Sequence, residues 1–513
     1  MTRIVIDSFK WWLANDINQW QAWSFYDSTW CQVRKNSTYI ELGRQAVQRI
    51  EDTTNNLNIV AMNIRWAVDG SYKDVCMFSS NGKVLNQGSI TATTTVTSAT
   101  DGFTNYIEAN WFYYIIGWRY IHKFTNVTTI VEAVADMWST QSTRPVINFF
   151  WDLIIGDWNK LCRYNKDLSI VTYSAWVENQ VLGWLDGTVV AITAIGTNVY
   201  IWCNNGNDTN LYIWDWQSSN NSVREVITYK DTPVRNVINL WNQHIWWASK
   251  LNNDRSTLFL WESYQPTPYI LSDFPKQLTS STLEFPENRL TIWDDGTLRT
   301  NAIESLGNIV YVPWKNKIFW FWKYFPWDKY SLTTEAKIYN NLGVYCMMVG
   351  QSQWSTWNGT NKIYLAYRGK TGGTSAWTDC NVLAEIFLWN DTSWNIVYEP
   401  SQYIESEEYL ATASVQGEEN VKMTIPFELT NSATSINVYV KMNRWSYSLI
   451  RSLTTTDYGV GYTNAELLYS WSWKVIQFKF ELVTANTSYS PKLYTWITNE
   501  STPKWMISSP SRR

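Results

Sequence analysis

Short runs of β-branched and aromatic residues alternate with clusters of Asn, Asp, Gly and Ser along most of the chain. Apolar residues seldom recur at helical spacing. That is the pattern of strands separated by tight turns. From about residue 58 the runs fall into neighbouring groups. Ile59–Val68 sits with Val75–Ser79, Tyr106–Ile116 with Tyr120–Phe124, Val146–Ile155 with Lys160–Tyr164, and Thr188–Ile195 with Val199–Trp202 and Leu211–Trp214. Val237–Leu240 with His244–Ala248 and Leu258–Trp261, Ile309–Val312 with Lys317–Phe321, and Gly343–Val349 with Ile363–Tyr367 continue the series. Comparable strands recur about every 35 to 65 residues, clustering near the ~40–50 of a four-stranded propeller blade. The clearest internal echo sets Asn198-Val-Tyr-Ile, Asn204-Asn-Gly and Leu211-Tyr-Ile-Trp against Gln243-His-Ile-Trp, Asn252-Asn-Asp and Leu258-Phe-Leu-Trp. The chain lacks a WD or kelch series, so the period alone predicts a β-propeller of about seven blades. A pair of β-sandwiches or a β-helix is the competing arrangement.

The two ends read differently. Residues 1–57 look like an irregular polar arm with one helix, Arg44 to Asp52. Beyond about 405, six strands follow at short, regular spacing: Val421–Phe427, Ser435–Met442, Tyr447–Leu453, Ala465–Tyr469, Val475–Leu482 and Lys492–Ile497. Alternation is clean in Ile436-Asn-Val-Tyr-Val-Lys-Met and Val475-Ile-Gln-Phe-Lys-Phe-Glu-Leu, which predicts an antiparallel, Ig-like β-sandwich with one wet face per sheet. The expected organisation of this all-β chain is therefore an arm (1–57), a propeller (58–404), a sandwich (405–500) and a polar tail (501–513).

Charge narrows the partners. With 41 basic and 45 acidic residues among 513 and a net charge of −4, the chain has no electrostatic footprint for sequence-specific nucleic-acid binding or polybasic membrane attachment. Its longest apolar run, Trp111 to Trp118, suits a buried strand rather than a membrane span. Met1–Lys10 contains no uninterrupted apolar segment, so no secretory signal is expected. The six cysteines (Cys31, Cys76, Cys162, Cys203, Cys346, Cys380) form no CxxC pair, which argues against zinc ribbons, dithiol redox sites and disulfide scaffolds.

One count does change the picture: 35 Trp against 22 Gly, where a usual glycine share of about 7% gives about 36. Many tryptophans stand where turn chemistry favours glycine: Trp11-Trp12, Trp158 in Gly-Asp-Trp-Asn, Trp184, Trp327, Trp445 in Asn-Arg-Trp-Ser, and Trp471-Ser-Trp473. A bulky side chain is costly at positive φ, and an indole on a hairpin tip exposes apolar area to water. The pattern matches a gene whose UGA codons mean Gly but were translated as Trp, that is, an alternative genetic code. Trp214, Trp246 and Trp261 alternate within apolar strands and read as genuine.

Candidate chemistry is sparse. His122 lies within Tyr120-Ile-His-Lys-Phe and His244 beside Trp246, and both read as structural strand residues rather than parts of a catalytic triad. GxSxG, P-loop, HExxH and complete EF-hand patterns are absent. Asn204 to Asn210 carries enough oxygens for Ca²⁺, but Asn-rich hairpin turns look the same. Asp294-Asp295 and Glu405, Glu407 and Glu408 are acidic groups of the kind a glycosidase uses, yet they read as solvated turns. Trp320, Trp322 and Trp327 suggest sugar stacking only if they are true tryptophans. No catalytic residue, cofactor or metal ligand is assigned.

With the suspect tryptophans read as glycines, the amino end becomes Phe9-Lys-Gly-Gly-Leu13-Ala-Asn15-Asp16, then Gly-Ser-Phe25-Tyr26-Asp and Gln32-Val-Arg34-Lys-Asn-Ser. This resembles the opening arm of propeller-containing structural proteins of tailed bacteriophages, of the tail or head-closure type. The carboxyl end is similar to theirs through Ser435-Ile-Asn-Val-Tyr-Val-Lys-Met-Asn-Arg, Ser446-Tyr-Ser-Leu-Ile-Arg and Val475 to Tyr494. The resemblance covers about a third of the chain and rests on loose motifs. It implies a non-enzymatic virion structural protein, made in the host cytoplasm, at the tail, neck, hub or head–tail connector. Its partners would be other virion proteins, in a homo-oligomer or multi-copy ring without membrane insertion, and it would bind no cofactor. Phe9, Leu13, Asn15, Asp16, Phe25, Tyr26 and Arg34 are its candidate assembly-arm residues. The alternative is a carbohydrate-binding or adhesin protein of a phage tip or bacterial surface.

Overall fold

A computed structural model describes residues 2–6, 27–28, 32–33, 39–52, 59–66, 73–79, 81–86, 94–95, 101–109, 112–126, 129–137, 139–141, 144–150, 152–165, 185–214, 223, 225–240, 243–250, 255–262, 269–274, 303–306, 309–314, 317–322, 331–338, 341–352, 360–370, 379–388, 396–406, 409–410, 418–472, 475–494 and 497–503. The chain divides into two compact units. One is Val47–Asn316 with Ile338–Asp391; the other is Met1–Ala46 with Lys317–Lys337 and Thr392–Arg513. Strands dominate both. Among the described residues the one helix is a single turn, Thr455–Tyr458.

The larger unit is a succession of antiparallel sheets, each laid down in chain order. The first contains Ile59–Trp66, Lys73–Ser79, Lys83–Asn86 and Thr94–Thr95; the second Phe103–Ala109, Phe112–Gly117, Tyr120–Asn126 and Thr129–Asp136. The third contains Val146–Phe149, Asp152–Asp157 and Lys160–Asn165; the fourth Thr188–Ile195, Asn198–Asn205, Asp208–Trp214 and Glu225–Tyr229. The fifth is Val234–Leu240, Gln243–Lys250, Arg255–Glu262 and Tyr269–Phe274. Glu304–Leu306 then pairs with Ile309–Trp314. The last sheet is Asn341–Ser352, Thr360–Lys370 and Asp379–Phe387, completed by Val47–Asp52 from the start of the chain.

The opening strands of these sheets touch one another in sequence order, and Asn341–Ser352 returns to Ile59–Trp66 to close the cycle. The core is correspondingly divided into layers between successive sheets. Phe78 and Val84 meet Phe103 and Ile115; Tyr114 and Ile116 meet Leu153, Ile155 and Tyr164; Ile154 and Leu161 meet Val189 and Ile192. Tyr200 and Trp202 meet Phe259 and Trp261, and Ile59 and Met62 meet Tyr345 and Tyr364. Sheets covered on both faces explain the near-continuous apolar runs, such as Thr188–Ile195 and Asn198–Asn205, where five successive residues are buried.

Residues 44 to 52 are not helical. They form the strands Arg44–Gln45 and Val47–Asp52, the latter antiparallel to Asp379–Phe387. Ala46, Val47 and Ile50 have helical spacing, but a short segment has little helical stability of its own. A long neighbouring strand with free ladder groups outweighs that local preference.

In the smaller unit Glu418–Leu429 is central to one sheet. On one side it pairs with Gly461–Ser472 across twelve residues, and on the other with Lys492–Tyr494 and Ile497–Pro503. Thr2–Ile6 extends that sheet from Ile497–Pro503, and Tyr39–Glu41 extends it from Lys492–Tyr494. A second sheet runs Asp27–Ser28, Ser401–Glu405, Val475–Thr484, Thr434–Met442, Ser448–Thr454. Both contribute to a single core: Ile40, Ile425, Phe427 and Leu493 from the first, with Val438, Val440, Phe478 and Phe480 from the second. The predicted alternation holds, since Ile436, Val438 and Val440 are fully buried between outward-facing neighbours.

Candidate interaction surfaces

The arm residues Phe9, Leu13, Asn15, Asp16, Phe25, Tyr26 and Arg34 lie outside the described residues, as do Asp294, Asp295, Glu407 and Glu408. His244 is in the strand Gln243–Lys250, and its side chain likewise lies outside the description. His122 is fully buried. Its Nε2 lies 2.9 Å from Asp101 Oδ2, and its Nδ1 accepts the Ala133 N–H at 3.2 Å. With Nδ1 accepting, Nε2 is the ring nitrogen placed to donate to the carboxylate. Asp101 also accepts the backbone N–H groups of Arg119 (2.7 Å) and Tyr120 (3.1 Å). The carboxylate thus organises the hairpin after Phe112–Gly117. Glycine suits position 117, because a Cβ there would collide with the hydrogen-bonded Asp101 carboxylate and crowd the Tyr120 carbonyl.

Arg144 is a second buried polar centre, and sequence reasoning missed it. Its guanidinium donates to Trp118 O (2.9 Å), Asp157 Oδ1 (2.9 Å), and Ser139 O and Oγ (both 2.7 Å). These bonds tie the second sheet's hairpin to the third sheet. The Asn204–Asn210 turn spends its oxygens in the same way. Asn204 Oδ1 accepts from Val234 N and Thr209 Oγ1, and Asp208 Oδ1 accepts from Asp231 N. These are turn and inter-sheet bonds, which agrees with the hairpin reading of the segment. Trp320 is fully buried within the strand Lys317–Trp322, so it offers no exposed ring for stacking.

Among the described residues, two partly exposed clusters of polar and aromatic side chains lie on the smaller unit. On its second sheet, strand alternation directs Asn437, Tyr439, Lys441, Lys479 and Glu481 outward, with Asn437 opposite Glu481 and Tyr439 opposite Lys479. Glu481 accepts from Tyr439 OH (2.8 Å), Asn437 Nδ2 (3.0 Å) and Ser401 Oγ (3.0 Å). Partial burial pushes its pKa up, but these hydrogen bonds and Lys479 outweigh that and hold the carboxyl below its ordinary range. The Lys479 ammonium lies 3.7 Å from the Tyr403 ring centroid, 5.4 Å from Tyr447 and 5.9 Å from Tyr439. Three tyrosines thus surround one cation. On the other sheet Glu428 accepts from Tyr494 OH (2.7 Å) and Lys492 Nζ (3.0 Å). Tyr494 packs against Tyr462 (5.0 Å) and Tyr39 (5.5 Å). Burial and the bond to Glu428 raise the Tyr494 pKa above the ordinary phenol value. The signal for both clusters was present in the strand alternation, which placed these residues on one face without revealing which strands lie side by side.

Exposed apolar side chains concentrate near the same unit's edge strands: Trp445, Leu449, Val460, Tyr462 and Leu468. In the larger unit Phe150 and Trp158 project from hairpins at φ 51° and 52°. At 445 the left-handed residues are Asn443 and Arg444, not the tryptophan, and Trp471 lies within a strand rather than a turn.

No protein-family model and no curated protein matches the sequence. Solved structures do overlap with it. BBS1N in complex with ARL6DN aligns at 9% identity and TM-score 0.41, over 67% of this chain and 97% of that one. The Dos1 propeller aligns at 10% and 0.40, over 70% and 92%. BamB from Moraxella catarrhalis aligns at 11% and 0.32, over 70% and 96%. The arrangement of this chain rests on its own strand pairing and on the contacts between its successive sheets.

Proposed function

We propose that this chain is a non-enzymatic assembly protein, a seven-bladed propeller with an Ig-like sandwich, acting in the virion of a tailed bacteriophage. The observation that carries the scaffold reading is the closed cycle of opening strands, sealed by Val47–Asp52 on the final sheet. Such closure makes a rigid disk whose loops are free to specialise in contacts. The ordered tyrosines on the sandwich, Tyr403, Tyr439 and Tyr447 around Lys479 and Tyr494 beside Tyr462, supply a residue type enriched at interfaces. Placement in the virion rests on the amino- and carboxyl-end resemblance. The recoding reading gains support from Trp158, which occupies a positive-φ hairpin position filled by glycine in two sister hairpins. Mass spectrometry of particles purified from the native host tests both ideas. This protein is expected at a fixed copy number, with glycine at position 158 and tryptophan at the buried positions 202, 214 and 261. Its absence from particles overturns the virion placement, and tryptophan at 158 overturns the recoding.

A second reading, glycan binding, is favoured by the exposed rings of Tyr462 and Trp445. Binding of the purified chain to a glycan array, lost in Tyr462→Ala, supports it in place of the first.

A further inference from the structure

The strand Gly461–Ser472 has a property that well-behaved sheet edges avoid. It pairs with Glu418–Leu429 over twelve consecutive residues without a register shift, and among the described residues no strand pairs with its other side. Natural edge strands are blunted by brevity, bulges, proline or lysine. This one is long and unbulged, lacks Pro, Lys and Arg, and has Glu466 as its lone charge. Tyr462 is 61% and Leu468 77% exposed on its outward face. The edge of the companion sheet, Ser448–Thr454, is protected by comparison: it is shorter, has a register shift and carries an exposed Arg451.

We infer that Gly461–Ser472 pairs antiparallel with the same strand of a second copy, joining the two sheets across a two-fold axis. Two-fold strand pairing must centre on a residue, so that inward and outward side chains stay in phase. Centring on Glu466 sets two carboxylates against each other, which disfavours that register. Centring on Ala465 places Tyr462 opposite Leu468, and Asn464 opposite Glu466, each twice. The outward face then gains two aromatic–aliphatic pairs and two amide–carboxylate pairs, while the inward face sets Ala465 against Ala465 and Thr463 against Leu467. This register covers part of the exposed Leu468 and Tyr462 surface and adds a ladder on the side of the strand that pairs with no other strand among the described residues. The occupant is a second copy because the strand's outward side chains match one another in this register, Tyr462 with Leu468 and Asn464 with Glu466, while the two Glu466 carboxylates are kept off direct opposition. The inference goes beyond the scaffold reading and is independent of where the protein acts.

The test uses the full chain in analytical ultracentrifugation. Wild type is expected to dimerise. Tyr462→Lys with Leu468→Lys sets like charges opposite each other at both pairs and raises the dissociation constant at least tenfold. Tyr462→Glu with Leu468→Lys sets unlike charges opposite each other in the same register and recovers dimerisation. Both sites are exposed, so circular dichroism is expected to show the folded spectrum for every variant. A wild-type monomer at 50 µM, or equal dimerisation by the two double variants, overturns the proposal. So does pairing of this edge with a different protein while the chain alone stays monomeric.

Discussion

Position 158 offers a direct test of how backbone geometry constrains this sequence. Trp158 and Asn159 join Asp152–Asp157 to Lys160–Asn165, with Asp157 and Lys160 as the closing pair. Trp158 has φ 52°, and Asn159 is not in the positive region. A two-residue hairpin with only its first central residue at positive φ is the type II′ geometry, which favours glycine there. Gly196 and Gly206 occupy the same position in the fourth sheet's hairpins, each at φ 60°. An L-residue in that region costs about 1–2 kcal/mol. Removing the indole also loses whatever its half-buried surface contributes, so the informative comparison is between two small replacements. Trp158→Gly is expected to be more stable than Trp158→Ala by about 1–2 kcal/mol. Within an ordinary strand the order is reversed, with glycine about 0.5–1 kcal/mol worse. Gly206→Ala is the mirror control: an added Cβ meets nothing within 4 Å, so its expected loss of about 1–2 kcal/mol reports backbone strain alone. Thermal unfolding followed by circular dichroism reads the difference as about 1–3 °C in a unit of this size. Equal midpoints for the two variants, or a more stable alanine variant, would refute the argument and remove the structural support for glycine at 158.

Other consequences follow from the buried polar groups. Asp101→Ala leaves His122 Nε2–H and two backbone N–H groups without their carboxylate, and is expected to cost about 3–5 kcal/mol by denaturant titration. Burial pushes the Glu304 carboxyl up from 4.5 to about 7. The folded state therefore holds the extra proton, and stability falls as pH rises from about 4.5 to 7, by up to about 3 kcal/mol; Glu304→Gln is expected to flatten that slope. Glu481 behaves oppositely, because its pKa is lowered: its contribution is present at neutral pH and lost as pH falls through the folded value. Glu481→Gln is expected to lose about 1 kcal/mol at pH 7, a partly exposed group being screened, with the gap to wild type closing in acid. Cys162, Cys203 and Cys346 are buried thiols, and burial raises the pKa of Cys203 and Cys346. Native iodoacetamide labelling is expected to spare all three until the chain unfolds.

Strand character was legible from residue order because it depends on local pattern. Alternation at Ile436–Met442 and Val475–Leu482 fixed which side chains face the core, and the Asn-rich turns between apolar runs fixed the hairpins. The tension at Trp158 was legible too, since turn chemistry is a property of two or three residues. What the fold alone decided is non-local. Arg44 to Asp52 carries a helical spacing that yields to pairing with a strand more than 300 residues away. Arg144 gives no signal in Thr-Arg-Pro, and becomes a buried anchor only when the second and third sheets approach. Alternation set Tyr439, Lys479 and Glu481 outward, yet their union with Tyr403 and Ser401 required three strands to assemble side by side. Side-chain direction follows from the backbone's period of two, whereas neighbours in a sheet are chosen by the burial and ladder bonding of the whole unit.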